Sequence, residues 1–210
     1  MKTIKYDLGQ NPLNMVHDQE KIAARLKNRF FFLSGFMGTG KSAVGSRLAD
    51  RLGVPFYDVD QHVIDAGRMP IADIFTTYGE VSFRERESKA LIKIIRKGGP
   101  AVIALGGGTF LRKTNTDIVR SNGVIINLKS DPDSILERLG EIQIKSLLIM
   151  CGKPLSYINS WEKILESIIE LNERRKTLYD NADFSVFTGG KTVDDVTEEI
   201  LGQLEYLFPN

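Results

Sequence analysis

The most specific spacing in this chain is Gly35-Phe-Met-Gly-Thr-Gly40-Lys41-Ser42, a complete GxxxxGK[ST] string with an apolar run before it and a helix-like run after it. Glycines at these intervals let the backbone wrap an anion so that successive N–H groups point inward. The following helix adds the positive end of its dipole. At this spacing Lys41 reaches the terminal phosphates of a nucleoside triphosphate, and Ser42 offers its hydroxyl to Mg²⁺. The expected nucleotide grip is therefore Gly38, Thr39, Gly40, Lys41, Ser42 and Ala43. The same loop serves GTPases, ATPases and kinases alike, so it does not by itself choose the reaction.

Three further groups bear on that choice. Asp58-Val59-Asp60 ends a short apolar run, and strand alternation would send both carboxylates to one side, at the sheet edge that carries the phosphate loop. There Asp58 can hold Mg²⁺ through water, while Asp60 can bond an acceptor hydroxyl and take its proton. The plainer alternative is that these acids cap a helix starting at Gln61. In Phe83-Arg84-x-x-Glu87, Arg84 and Glu87 share a helix face and can pair. An oriented guanidinium binds a carboxylate bidentately, although an isolated Arg and Glu also read as a solvated surface pair. Gly106-Gly107-Gly108 follows another apolar run. Three successive glycines are entropically costly unless the backbone must approach something closely, and a ligand lying on it is the natural reason.

These groups need a scaffold, and the apolar runs supply one. Phe30–Leu33, Pro55–Tyr57, Ala101–Leu105, Val124–Leu128 and Phe184–Phe187 read as five strands. Between and after them, Gly40–Leu52, Ser82–Lys97, a run opened by Ser130-Asp131-Pro132, Trp161–Tyr179 and Thr192–Leu207 read as helices. The alternation predicts an α/β fold with a parallel sheet between two helical layers. Residues 1–28, with the helix-like run Asp18–Lys27, read as an N-terminal extension, and 29–210 as one domain.

Composition narrows the function classes. The 210 residues carry 28 basic and 27 acidic side chains, a formal charge of +1, so no global field favours nucleic acid or an anionic membrane. Any anion site must be local. One cysteine, Cys151, and two histidines leave neither an internal disulfide nor a zinc-type cluster. With no apolar stretch of about 20 residues, a reducing cytoplasm is expected, and the chain is taken to act as a monomer with no nucleic-acid or membrane partner.

The ordered strings Gly35–Ser42, Phe56-Tyr-Asp-Val-Asp60, Ile74-Phe75 with Gly79-Glu80, Phe83-Arg84-x-x-Glu87 and Ala104–Thr109 resemble the motifs of the shikimate kinase family. The likeness runs from about Phe30 to Arg138 and resumes at Glu173-Arg-Arg-x-x-Leu-Tyr179 with Ala182-Asp183. It implies a P-loop fold of the nucleoside-monophosphate-kinase type, strand order 2-3-1-4-5, and phosphorylation of the shikimate 3-hydroxyl by ATP with Mg²⁺. Asp60, Arg84, Gly106, Gly107, Gly108 and Arg175 would then hold shikimate, Ser42 and Asp58 the metal, and Arg138 would lie near the adenine. Other readings are a different small-metabolite kinase of this fold, such as a gluconate kinase, and a nucleotide-binding protein that has lost the chemistry.

The likeness stops at the lid, about 140–158. The family's Arg-Pro-Leu-Leu string, whose arginine reaches the phosphates, is absent. Lys145-Ser-Leu-Leu148 has the expected distance from Arg138, whereas Lys153-Pro-Leu155 keeps the proline. Lys153 is the favoured catalytic, nucleotide-facing lid cation, with a point charge in place of a planar fork.

Overall fold

The computed structural model describes residues 29–180 and 182–208, and the helix-like run Asp18–Lys27 lies outside the described residues. A parallel sheet carries β1 (Phe30–Ser34), β2 (Phe56–Asp58), β3 (Ala101–Ala104), β4 (Gly123–Lys129) and β5 (Phe184–Phe187) in the order β2-β3-β1-β4-β5. The helices are α1 (Lys41–Leu52), α2 (Val59–Gly67), α3 (Ile71–Ile95), α4 (Lys113–Asn122), α5 (Pro132–Arg138), α6 (Glu141–Cys151), α7 (Trp161–Tyr179) and α8 (Val193–Leu207).

Central β1 shows why the strands read as unbroken apolar runs. Every one of its residues is buried, because helices cover both faces of a parallel sheet. Phe31 and Leu33 enter the layer formed with α1 and α8, beside Leu48, Ile200 and Leu204. Phe30 and Phe32 enter the opposite layer, with Leu91 and Ile94 of α3 and Val119 of α4. A third apolar cluster joins Phe36 of the phosphate loop to Ile135 of α5, Ile144, Leu147 and Leu148 of α6, and Ile164, Ile168 and Leu171 of α7. The helix seats follow their caps. Asp131 accepts from Ser134 N at 2.8 Å with Pro132 in the first turn of α5. Thr192 and Asp195 form a reciprocal capping box at α8, with Asp195 N donating to Thr192 Oγ1 at 3.1 Å and Thr192 N to Asp195 Oδ2 at 3.0 Å.

Four elements depart from the sequence expectation. The second strand stops at Asp58 and α2 starts at once, so Asp60 lies in a helical turn rather than on a strand. Helix α3 begins at Ile71, well before Ser82, and breaks at Gly79 (φ 78, ψ 170), beyond which it resumes. Helix α4 is short and buries only Asn115 and Val119, too little for a periodic signal. Helix α6 is apolar nearly all round: one side packs on α7, while Ile149 and Met150 meet Phe75 and Phe83 of α3. That double burial erases the helical period.

Candidate functional site

Because every strand is parallel, the C-terminal ends of β1, β2 and β3 share one edge of the sheet, with Leu33 and Asp58 both paired to Ala104. The loop leaving β1 holds Gly35, Gly38 and Gly40 at φ 135, 78 and 93, a region that other side chains rarely adopt. Lys41 lies at the start of α1, and its Nζ donates to Gly35 O at 2.9 Å and Phe36 O at 2.8 Å. Burial pushes its pKa down, against the opposing pull of Asp60 and Asp58. Thr39 is 1% exposed and donates Oγ1 to Phe36 O at 2.8 Å, so its side chain braces the loop from beneath. Expected as a nucleotide contact, Thr39 has only its backbone left for that role.

The two aspartates divide their work differently from the alternation argument. Asp58 caps α2, with Oδ1 accepting from Gln61 N at 3.2 Å, and its Oδ2 accepts from Ser42 Oγ at 2.5 Å. Capping and the pairing with Ser42 therefore coexist in one side chain. Asp60 comes to the same place from the first turn of α2, where Oδ1 is buried without a hydrogen-bond partner. Its pKa is raised to about 7, first by burial and then by the charges of Glu87 and Asp58, while Lys41 and Arg84 oppose the shift. Ser42 Oγ and Asp58 Oδ2 form a hard oxygen pair beside the phosphate loop. Among the described residues no group of three or more His, Cys, Asp or Glu could hold a metal. One carboxylate and one hydroxyl fit Mg²⁺, which keeps several waters and takes substrate phosphates as further ligands.

Beyond Asp60 the wall is cationic. Arg84, 6% exposed, donates Nη1 to Glu87 Oε2 at 3.0 Å and both Nε and Nη2 to Glu80 Oε1 at 3.2 Å. Fully buried Glu87 also accepts from Thr109 Oγ1 at 2.8 Å, which fixes the arginine's inner edge. Arg175 of α7 donates to Gly107 O at 3.4 Å and to Met150 Sδ at 3.4 Å, and burial lowers its pKa. One turn further on, Tyr179 Oη donates to Gly107 O at 2.6 Å, its pKa pushed up to about 12 by burial.

The glycine triplet has a side-chain explanation. A Cβ on Gly106 would stand 2.7 Å from Asp60 Oδ1 and closer still to Glu87 Oε1, and one on Gly108 would stand 2.5–2.6 Å from the Arg84 guanidinium. The chain gives up side chains here so that the acid and the arginine can lie flush on its backbone.

Lys41, Ser42, Asp60, Arg84, Arg138 and Arg175 open onto one cavity of about 670 Å³. One side is walled by Ile64, Ile71, Phe75, Phe83 and Met150, an apolar surface beside Arg84 and Arg175. Arg138 is steadied by Thr188, through Nη1 to Oγ1 at 3.1 Å and Nη2 to O at 2.8 Å.

The lid does not match the expectation. Helix α6 turns Ile142, Gln143, Ser146 and Met150 to the cavity, none of them a cation. Lys153, expected as the nucleotide-facing lid cation, instead sits outside the cavity on Glu170 of α7 at 3.1 Å. Lys145 pairs with Glu141 at 2.6 Å. Burial of Ile144, Leu147 and Leu148 against α7 fixes which face of α6 looks inward, and that face carries no lysine. Sequence reasoning also assigned no role to Glu80 or Tyr179. Both stood at the i, i+4 spacing of a helix partner, Glu80 before Arg84 and Tyr179 after Arg175.

Comparison with known proteins bears on the family and the fold. A family model described as shikimate kinase matches residues 37–205. A shikimate kinase of Thermodesulfovibrio yellowstonii is 39% identical over 175 residues, 83% of this chain and 94% of the relative. One from Caldanaerobacter subterraneus is 38% identical over 169 residues, 80% of this chain and 92% of the relative. Among solved structures, shikimate kinase from Acinetobacter baumannii in complex with shikimate superposes with a TM-score of 0.77 at 26% identity, covering 90% of this chain and 99% of that one. Shikimate kinase from Aquifex aeolicus gives a TM-score of 0.66 at 31% identity, covering 85% and 97%.

Proposed function

The chain belongs to the shikimate kinase family and is an ATP-using phosphotransferase, and from that premise we propose how its own residues move the γ-phosphoryl group of ATP to the 3-hydroxyl of shikimate. The observation that carries the assignment of roles is the convergence of Lys41, the Ser42–Asp58 pair, Asp60, Arg84 and Arg175 on a single cavity. The phosphate loop binds the triphosphate through its backbone, and Lys41 leaves its carbonyl partners to neutralise the terminal phosphates. Ser42 and Asp58 would hold Mg²⁺, whose charge would offset that of the phosphates. Arg138, steadied on Thr188, is suited to line the base end of the nucleotide.

On the acceptor side, Arg84 and Arg175 take the carboxylate of shikimate and the wall of Phe75 and Phe83 takes its ring. That seats the 3-hydroxyl towards Asp60. The hydroxyl oxygen forms its bond to γ-phosphorus as the bond to the bridging oxygen breaks, and the hydroxyl proton passes to Asp60. A pKa of about 7 suits a group that must both accept and release a proton near neutrality. Helix α6 roofs the cavity with neutral side chains and keeps water from competing with the acceptor. A coupled assay with Mg-ATP should show ADP release that depends on shikimate. No release at millimolar shikimate would remove the assignment for this chain.

A further inference from the structure

Arg84 is already engaged by a carboxylate. Its Nε and Nη2 both donate to Glu80 Oε1 at 3.2 Å, and this is the edge a guanidinium offers to a bidentate carboxylate. The edge formed by Nη1 and Nη2 is already part-taken. Nη1 is held by Glu87 at 3.0 Å, and Glu87 is itself anchored by Thr109. One face of the guanidinium lies so close to Gly108 that a Cβ there would sit 2.5–2.6 Å away, and the Phe83 ring centroid is 4.9 Å from Cζ. An acceptor carboxylate that takes Arg84 bidentately through Nε and Nη2 must therefore replace Glu80 rather than join it.

Glu80 is built to be replaced. Its side chain is 52% exposed while that of Glu87 is 0% exposed, so the Glu80 carboxylate can pass to water when it leaves the buried guanidinium. It directly follows the break at Gly79 and so lies in the first turn of the resumed helix. Once displaced, the carboxylate still has the positive end of that helix beside it.

We propose that Glu80 is a carboxylate gate on the acceptor arginine: it occupies the outward edge of Arg84 until the acceptor's own carboxylate displaces it, and so sets the affinity and charge selectivity of acceptor binding. This rests on the reading that Arg84 holds the acceptor carboxylate. The gate also holds the guanidinium in its working orientation between turnovers, so the acceptor meets a preformed fork.

Steady-state kinetics with the full chain and Mg-ATP test it, using shikimate and its primary carboxamide as acceptors. Glu80→Gln should lower the KM for shikimate by about two- to fivefold, the scale of an exposed pair, with a smaller change in kcat and none in the KM for ATP. It should give no such gain with the carboxamide, and the gain with shikimate should shrink as salt is raised. Glu80→Ala repeats the test should the glutamine variant fold poorly. A shikimate KM that stays level or rises in both variants overturns the gate, because Glu80 would then only support Arg84. Arg84→Ala separates the two ideas. If that change leaves the shikimate KM untouched, the acceptor reading itself has failed; if it raises KM steeply while the Glu80 variants do nothing, the gate alone has failed.

Discussion

The phosphate loop and the start of α1 make their wall of the cavity from a nearly continuous stretch, Met37, Gly38 and Gly40 to Ala43, whereas the acceptor wall takes single residues from α2, α3, the turn after β3 and α7. Backbone N–H groups fixed by a local turn need few distant partners. The acceptor wall depends on a chain of contacts: Thr109 holds Glu87, Glu87 holds Arg84, and Arg84 and Asp60 lie on glycine backbone. The first wall should tolerate damage elsewhere, and the second should transmit it. Substitutions on the acceptor side should thus change turnover and acceptor KM while leaving nucleotide affinity nearly alone.

The largest effect belongs to Asp60. Asp60→Asn keeps the shape and removes the proton acceptor, so kcat should fall by about 10²–10⁴-fold, with ATP affinity by calorimetry within about threefold. Substantial residual transfer would show that the hydroxyl proton leaves by another route. Next comes Gly108→Ala, whose new Cβ would stand 2.5–2.6 Å from the guanidinium. Arg84 must then shift by about an ångström, and displacements of that size cost up to ~10²-fold. The shikimate KM should rise tenfold or more while the KM for ATP stays within about threefold. If the KM for ATP rises equally, the two walls are not independent.

The contrast also governs what could be read from the chain before its structure. The phosphate loop was legible from Gly35 to Ser42 because its function is written in a contiguous backbone pattern. Arg84, Arg175 and the glycine triplet were legible as residue types, yet the reason for Gly106 and Gly108 was not. Their neighbours Asp60, Glu87 and Arg84 are distant in sequence and meet them only through the sheet edge. Alternation failed at Asp58-Val59-Asp60 because the chain switches from strand to helix between the two acids, so their common side arises from a cap and a first turn. The lid was the least legible part. Helix α6 is buried on two sides and its apolar residues carry no period, so the preference for Lys153 over Lys145 rests on a kept proline and not on which face looks inward.

A smaller effect concerns stability. In the ligand-free, metal-free protein Asp60 has a folded-state pKa raised from 3.8 to about 7. The folded form therefore keeps a proton that the unfolded chain loses, and stability falls as pH climbs from about 4 to about 7. The slope contributed by this group is at most ~1.4 kcal/mol per pH unit. The melting temperature of Asp60→Asn should accordingly fall less than that of the unchanged protein between pH 5 and about 7. Parallel curves would mean that Asp60 ionises freely despite its surroundings. Mg²⁺ alone should flatten the curve of the unchanged protein by favouring the ionised carboxylate.

The smallest expected effect is at the lid. Lys145 and Lys153 hold their charges on Glu141 and Glu170, away from the cavity, while α6 shows it Gln143 and Ser146. For Lys145 to reach the phosphates, α6 would have to turn about its axis or lift, which would expose Ile144, Leu147 and Leu148 from the cluster they share with α7, while Lys153, just beyond α6, would have to leave Glu170. Burial of three such side chains opposes that motion far more strongly than a surface ion pair favours it. Lys145→Ala, Lys153→Ala and the double variant should each keep kcat within about threefold, whereas a cation acting directly on the transferring group is worth ~10³-fold or more. A loss of that larger size in one single variant would identify the lysine concerned as the phosphate contact. At Lys145 it would also mean that α6 leaves its seat during turnover, placing the lid with the adaptable acceptor wall rather than with the rigid loop.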